Sequence, residues 1–255
     1  MVFIKEGARR AGLLLFLCLL LAGCVGGLTR PAGPWYEVYQ PINDPASHAF
    51  VAEVLKQAVD EFGEPVDPVE QVLLRRSRKS REFKNYRVRE DFSLTEYQDA
   101  TAGLYVIYMG MGPDDPDYFA FLAHECAHLL NPQITDWYME GIATLFSEEV
   151  CEARGIDWNS LRSLFETEER EPYALSYRMM RALKAAFPEE YPSIIRFVAP
   201  NRSGEAWQRI DIDAWIASLP SADQREALAI IKPYAKRLAK EKRTLYDFTV
   251  PSGIK

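Results

Sequence analysis

Residues 124–144 read HECAHLLNPQITDWYMEGIAT and hold two of the three histidines in the chain. His124 and His128 stand four apart. On a helix that spacing puts both on one face, one turn from each other, so two imidazoles can aim at a single point. Zinc accepts such nitrogens at roughly 2.0–2.1 Å. Glu125 is offset by about 100° from His124. It cannot easily bind the same ion directly, but it can reach a water bound there, as a general base must. The pattern H-E-x-x-H thus draws two ligands and a base from one rigid turn.

A catalytic zinc also needs a third protein ligand and an open position for water. The extended pattern HExxHxxGxxH would require Gly at 131 and His at 134, where the chain has Asn131 and Ile134. The remaining histidine, His48, lies at the start of an earlier helix and reads as a surface or capping residue. Glu140 remains, early on the next helix. A turn through Asn131-Pro132 could fold that helix back and bring its carboxylate to the two histidines, giving a His₂Glu set.

With these residues in view, HECAH followed by WYMEGIAT resembles the gluzincin metallopeptidases, where HExxH precedes a helix of the form W-x-x-E-G-x-A. The nearest branch is the peptidase MA-like, aminopeptidase N-like group. The resemblance implies a zincin-like fold, one Zn²⁺, His124, His128 and Glu140 as its ligands, and Glu125 as general base. It implies that Gly141 and Ala143 are small so that the two helices can pack closely. In that branch a tyrosine opens a later helix and steadies the oxyanion. In EPYALSYRMMRAL the matching position is Tyr173, with Tyr177 one turn on as the alternative. The resemblance covers roughly residues 118–185. The Glu140-to-Tyr173 spacing is shorter than in the large aminopeptidases, and their Gly-x-Met-Glu-Asn-type motif is absent.

The elements that must position these side chains follow from hydrophobic periodicity. HAFVAEVLKQAVDEFG carries an apolar stripe from Phe50 to Val59, with Ser47 as the expected cap and Gly63 as the stop. Eight Lys or Arg between 75 and 89 read as a helix end running into a solvated edge strand, or as a contact for anionic lipid or wall polymer. AGLYVIYMG at 102–110 is β-branched and aromatic and predicts a strand, which could hold an extended substrate alongside it. The HExxH helix is expected to start with Asp115 as cap and Pro116 in its first turn, and the Glu140 helix with Thr135 or Asp136. The rest reads as amphipathic helices. The expected architecture is α+β: a small strand-containing N-terminal lobe, then a mostly helical lobe with the HExxH helix, forming one domain over residues 47–250.

Lys5, Arg9 and Arg10 precede an apolar run at 13–22. Ten such residues are too few to span a bilayer, which needs about twenty, so the run reads as an export signal. The ending Leu21-Ala22-Gly23-Cys24 resembles the lipobox of bacterial lipoproteins. That likeness implies removal of residues 1–23, a lipid anchor on Cys24, and a Gly/Pro-rich tether over 24–46. Val25 in the next position favours an outer-membrane address facing the periplasm. Without the leader's charge of +2, the net −7 becomes −9, which with export argues against nucleic acid as a partner. Cys126 and Cys151 then remain; two buried free thiols is the preferred reading over a disulfide.

These residues predict zinc-dependent peptide hydrolysis in the cell envelope. The rivals are a non-catalytic, metal-stabilised binding or assembly factor, and a hydrolase of a non-peptide amide. Whether cleavage is endo or exo, and the oligomeric state, leave no mark in the sequence.

Overall fold

A computed structural model describes residues 35–77, 93–165, 167, 170–201, 204–241 and 246–254. The expected leader, Cys24 and the basic stretch beyond Ser77 fall outside these residues.

Gln40–Pro41 (β1) opens a sheet and is followed by helix α1, Pro45–Phe62. Asp44, not Ser47, caps α1: its carboxylate accepts from Ser47 N at 2.8 Å and Ser47 Oγ at 2.7 Å, with Pro45 suited to the first turn. Gly63 ends the helix at φ 90°, where any other side chain would be strained. The folded body therefore begins before the expected end of the tether at residue 46, since Tyr39 and Ile42 are already buried.

Strands β2 (Gln71–Arg76), β3 (Leu94–Asp99) and β4 (Leu104–Met109) complete a four-stranded sheet in the order β1-β2-β4-β3. β2 runs parallel to β4, with Gln71 opposite Leu104, whereas β3 is antiparallel, with Leu94 opposite Tyr108. The start of the basic stretch is thus a paired strand rather than a helix end. β4 stands close to where the sequence puts it. It is buried on both faces, which is why it reads as an unbroken apolar run rather than an alternation. Tyr105, Ile107 and Met109 join the main core, while Val106 and Tyr108 pack with Tyr39 on the other face.

Helix α2, Tyr118–His128, begins later than its sequence signals suggest. The Asp115 carboxylate accepts from Asp117 N at 3.0 Å, closing a local turn instead of capping the helix. Helix α3, Trp137–Arg154, is capped by Asp136, which accepts from Met139 N at 2.8 Å. Ala120 is bonded to Ser147, and His124 meets Thr144, so α2 and α3 run antiparallel. Helices α4 (Asn159–Leu164) and α5 (Glu171–Ala186) follow, then a 3₁₀ turn at Tyr191–Arg196. The last elements are strands β5 (Val198–Asn201) and β6 (Gly204–Ile210) and helices α6 (Ile212–Ser218) and α7 (Ser221–Leu238).

The architecture is α+β, a small mixed sheet followed by a mostly helical part. The β5–β6 hairpin departs from the expected all-helical remainder. Its pairing is completed by a distant loop: Thr135 N donates to Gln208 O at 2.9 Å and Gln208 N to Gln133 O at 2.8 Å. Cys126 and Cys151 are buried free thiols. Among the described residues, no helix is long and apolar enough to cross a membrane.

Candidate metal centre

The turn between α2 and α3 decides where Glu140 goes. Helix α2 stops at His128, and Asn131 organises the chain beyond it. Its carbonyl oxygen accepts from Gln133 N at 3.1 Å, and its amide donates to Gln208 Oε1 at 2.8 Å. Residues 133–135 are then braced by β6 on one side and by Asp247 on the other, where Asp247 N donates to Thr135 O at 3.1 Å. Asp136 ties the start of α3 to β6 as well, because its second carboxylate oxygen accepts from Ile210 N. The second helix is thereby folded back along the first.

This brings His124, His128 and Glu140 together as the sequence predicts. The two Nε2 atoms lie 3.3 Å apart. His124 Nε2 is 3.4 Å from Glu140 Oε2, and His128 Nε2 is 3.5 Å from Glu140 Oε1. One ligand atom from each residue can be chosen so that all three lie within 4.8 Å of one another. Four-coordinate zinc with bonds near 2.05 Å has ligand-to-ligand edges of about 3.3 Å, from the tetrahedral angle. Each nitrogen thus stands near that spacing from the other nitrogen and from one of the two Glu140 oxygens, and the set could hold a metal ion.

Burial and charge prepare the donors. Burial pushes the His128 imidazole down to about 4, so its nitrogen lone pair is free at neutral pH. In His124 burial opposes the charged form, but the hydrogen bond and charge of Glu140 outweigh it and raise its pKa. Glu140 is buried, which favours its neutral form; His124, the His128 charge and the Tyr246 hydroxyl pull it below the usual carboxylate range.

Thr144, one turn after Glu140, completes the ligand orientation. Its hydroxyl donates to Glu140 O at 2.7 Å and lies 3.3 Å from His124 Nδ1. With that proton spent on the carbonyl, the network assigns the His124 proton to Nδ1 and leaves Nε2 facing the centre.

Glu125 is 5% exposed. Thr95 of β3 bonds to its Oε2 at 2.8 Å and also reaches its main-chain oxygen at 2.9 Å, which fixes the side chain. Burial pushes the carboxyl up to about 7, partly offset by His124 and the Thr95 hydroxyl. A base poised there suits work at neutral pH.

Tyr173 packs beside Trp137, at the start of the helix that carries Glu140. Its ring stands edge-on to Trp137 at 5.1 Å, and burial followed by the Glu140 charge raises its pKa. Tyr177, the alternative, stands elsewhere: its hydroxyl bonds to Glu148 Oε2 at 2.5 Å, away from the ligands. Glu148 is buried between Tyr177 and Arg162. Glu149 pairs with Lys184. His48 is exposed, as expected.

Gly141 makes a close contact, but with α5 rather than α2. A Cβ there would sit 2.6 Å from Ser176 O. The strand expected to bind substrate is corrected too: β4 has β2 and β3 on its two edges. It is β3 that forms the outer strand of the sheet, with its Thr95 against Glu125. Thr95, Thr144 and Tyr246 were not singled out in the sequence. Only Thr144 carried a local signal, one helical turn after Glu140. Compared with known proteins, the chain matches no protein-family model, no curated protein and no solved structure.

Proposed function

We propose that the protein is a zinc-dependent peptide hydrolase, a gluzincin-like metallopeptidase on a zincin-like frame, held in the bacterial cell envelope by a lipid on Cys24. One observation carries the reading. Two imidazoles and a carboxylate stand at zinc-like edges of 3.3–3.5 Å, with a buried carboxylate, Glu125, on the same helical turn as His124.

His124, His128 and Glu140 would hold the zinc ion, which would supply Lewis acidity and lower the pKa of a water toward 7. Glu125, oriented by Thr95, is the base placed to accept a water's proton and would return it to the leaving amine. Tyr173 donates to the developing oxyanion, a contribution of about 3 kcal/mol for one donor. An extended peptide pairs with the outer edge of β3, where main-chain hydrogen bonds hold it past Glu125. The Leu21-Ala22-Gly23-Cys24 pattern supports the anchor, at the periplasmic face of the outer membrane.

The test is Glu125→Gln, assayed with a peptide library and by metal analysis. The variant should retain one zinc per chain and lose turnover. Full activity in that variant would remove Glu125 from the reaction, and full zinc with no turnover in the wild type would favour a binding factor.

A further inference from the structure

Helices α4 and α5 enclose a groove of about 520 Å³, lined by Arg162, Phe165, Tyr177, Arg178, Arg181 and Ala182. One buried carboxylate orders two of its cations from beneath. Glu148, 3% exposed, accepts from Arg162 Nη2 at 2.7 Å and from the Tyr177 hydroxyl at 2.5 Å. The Tyr177 oxygen accepts in turn from Arg181 Nη1 at 2.9 Å. Aromatic rings steady both guanidinium groups: Arg181 lies 5.9 Å from the centre of the Tyr177 ring, and Arg162 5.4 Å from that of Trp158. Phe165 packs on Tyr177, ring centroids 5.6 Å apart, and gives the groove an apolar wall. Arg178 is exposed and has no ion-pair partner among the described residues.

A buried carboxylate must be paired, and one arginine is enough for that. Here three arginines less one carboxylate leave a surplus of two positive charges among the described side chains that form the groove. Each guanidinium carries five N–H donors. Arg181 uses Nη1 on Tyr177, and Arg162 uses Nη1 and Nη2 on Asn159 and Glu148, so donors remain for a ligand. Such planar forks match the oxygens of carboxylate and phosphate two at a time. A phosphate monoester carries about −1.5 to −2 at pH 7 and so matches the surplus; a carboxylate meets only half of it. We propose that this groove binds a phosphate monoester with a short apolar stem, its phosphate held by Arg162, Arg178 and Arg181 and its stem laid against Phe165 and Ala182. A soluble phosphate ester and a phosphatidate headgroup share this chemistry. The site is distinct from the metal centre, since Glu148 stands two helical turns past Glu140 on α3, and it does not depend on the reading of the metal ligands.

The test is titration calorimetry on the purified full chain, with phenyl phosphate as the probe. The wild-type protein should bind it, less tightly as salt rises, and should take up no benzyl alcohol, which lacks the charge. Arg178→Gln and Arg181→Gln should each weaken binding by about 10-fold or more, the usual scale for a hydrogen bond between charged groups, with an unfolding midpoint close to that of the wild type. Arg162 is unsuited to the test, because its loss would strand Glu148 in the interior. Dihexanoyl phosphatidate separates the two sources. Tighter binding than that of phenyl phosphate, with the same dependence on Arg178, assigns the groove to a lipid headgroup; equal or weaker binding assigns it to a soluble ester. Wild-type affinity for phenyl phosphate in either variant would overturn the proposal, by placing the phosphate elsewhere on the protein. A wild-type chain that takes up no probe at millimolar concentration would also overturn it, its arginines then being matched by the chain's own carboxylates.

Discussion

Gly141→Ala sets two effects of opposite sign against each other at the contact between α3 and α5. In a helix interior alanine is favoured over glycine by about 0.8–1.0 kcal/mol. Against that, the added methyl would lie 2.6 Å from Ser176 O, 2.8 Å from Ser176 C and 2.6 Å from Met180 Cγ. Met180 can turn aside, being unbranched and flexible. The Ser176 carbonyl cannot, because it is helix backbone and its own hydroxyl is bonded to Trp137 O. Carbon-to-oxygen contacts settle near 3.3–3.6 Å, so α5 must retreat by roughly 0.7–1 Å. Such overpacking costs about 1–3 kcal/mol. Subtracting the propensity gain leaves a net loss of about 1 kcal/mol, or a fall of about 2–4 °C in Tm for a chain of this size. Tyr173 lies three residues before Ser176 and moves with it, and a misplacement near 1 Å can cost up to about 100-fold in rate. The assay is thermal unfolding together with kcat/KM and zinc content. The account requires a less stable, slower enzyme that still binds zinc. A variant about 1 kcal/mol more stable than wild type, with unchanged turnover, would refute the close approach of the two helices.

Three further outcomes follow from named contacts. Thr95→Val removes the hydroxyl that favours ionised Glu125 against its burial; Glu125 then keeps its proton to higher pH, so the acid limb of kcat/KM moves upward and activity falls more at pH 6 than at pH 8. Asp136→Ala deletes the α3 cap, worth about 1–2 kcal/mol, and strands the Ile210 N–H at a further cost of about 1–3 kcal/mol; denaturant unfolding should show a loss of roughly 2–5 kcal/mol, and Asp136→Asn a smaller one. Cys24→Ser should release the protein from the membrane fraction, and a variant that still sediments with membranes would contradict the lipid anchor.

The His124–His128–Glu140 cluster was legible because its geometry is written in short spacings. His124 and His128 share a helical face by being four apart, and Glu140 follows close behind on the next helix. β4 was legible for a similar reason, as a run of apolar residues between turn signals. What the sequence hid depends on partners far along the chain. The β5–β6 hairpin shows little alternation and is held partly by the loop before α3, through Gln208. β3 carries polar residues, and its Thr95 meets Glu125 only through tertiary folding. Tyr246 has no local pattern that links it to Glu140. Gly141 was recognised as a packing residue, but spacing alone does not say which helix approaches it.

X-ray absorption at the zinc edge, on protein purified without chelators, tests the central claim most directly. The account predicts one zinc per chain with four nitrogen or oxygen neighbours near 2.0–2.1 Å, two of them showing imidazole scattering, and loss of that signature in His128→Ala. Sulfur in the inner sphere, six light neighbours at longer distance, or no bound zinc in the wild-type protein would contradict it.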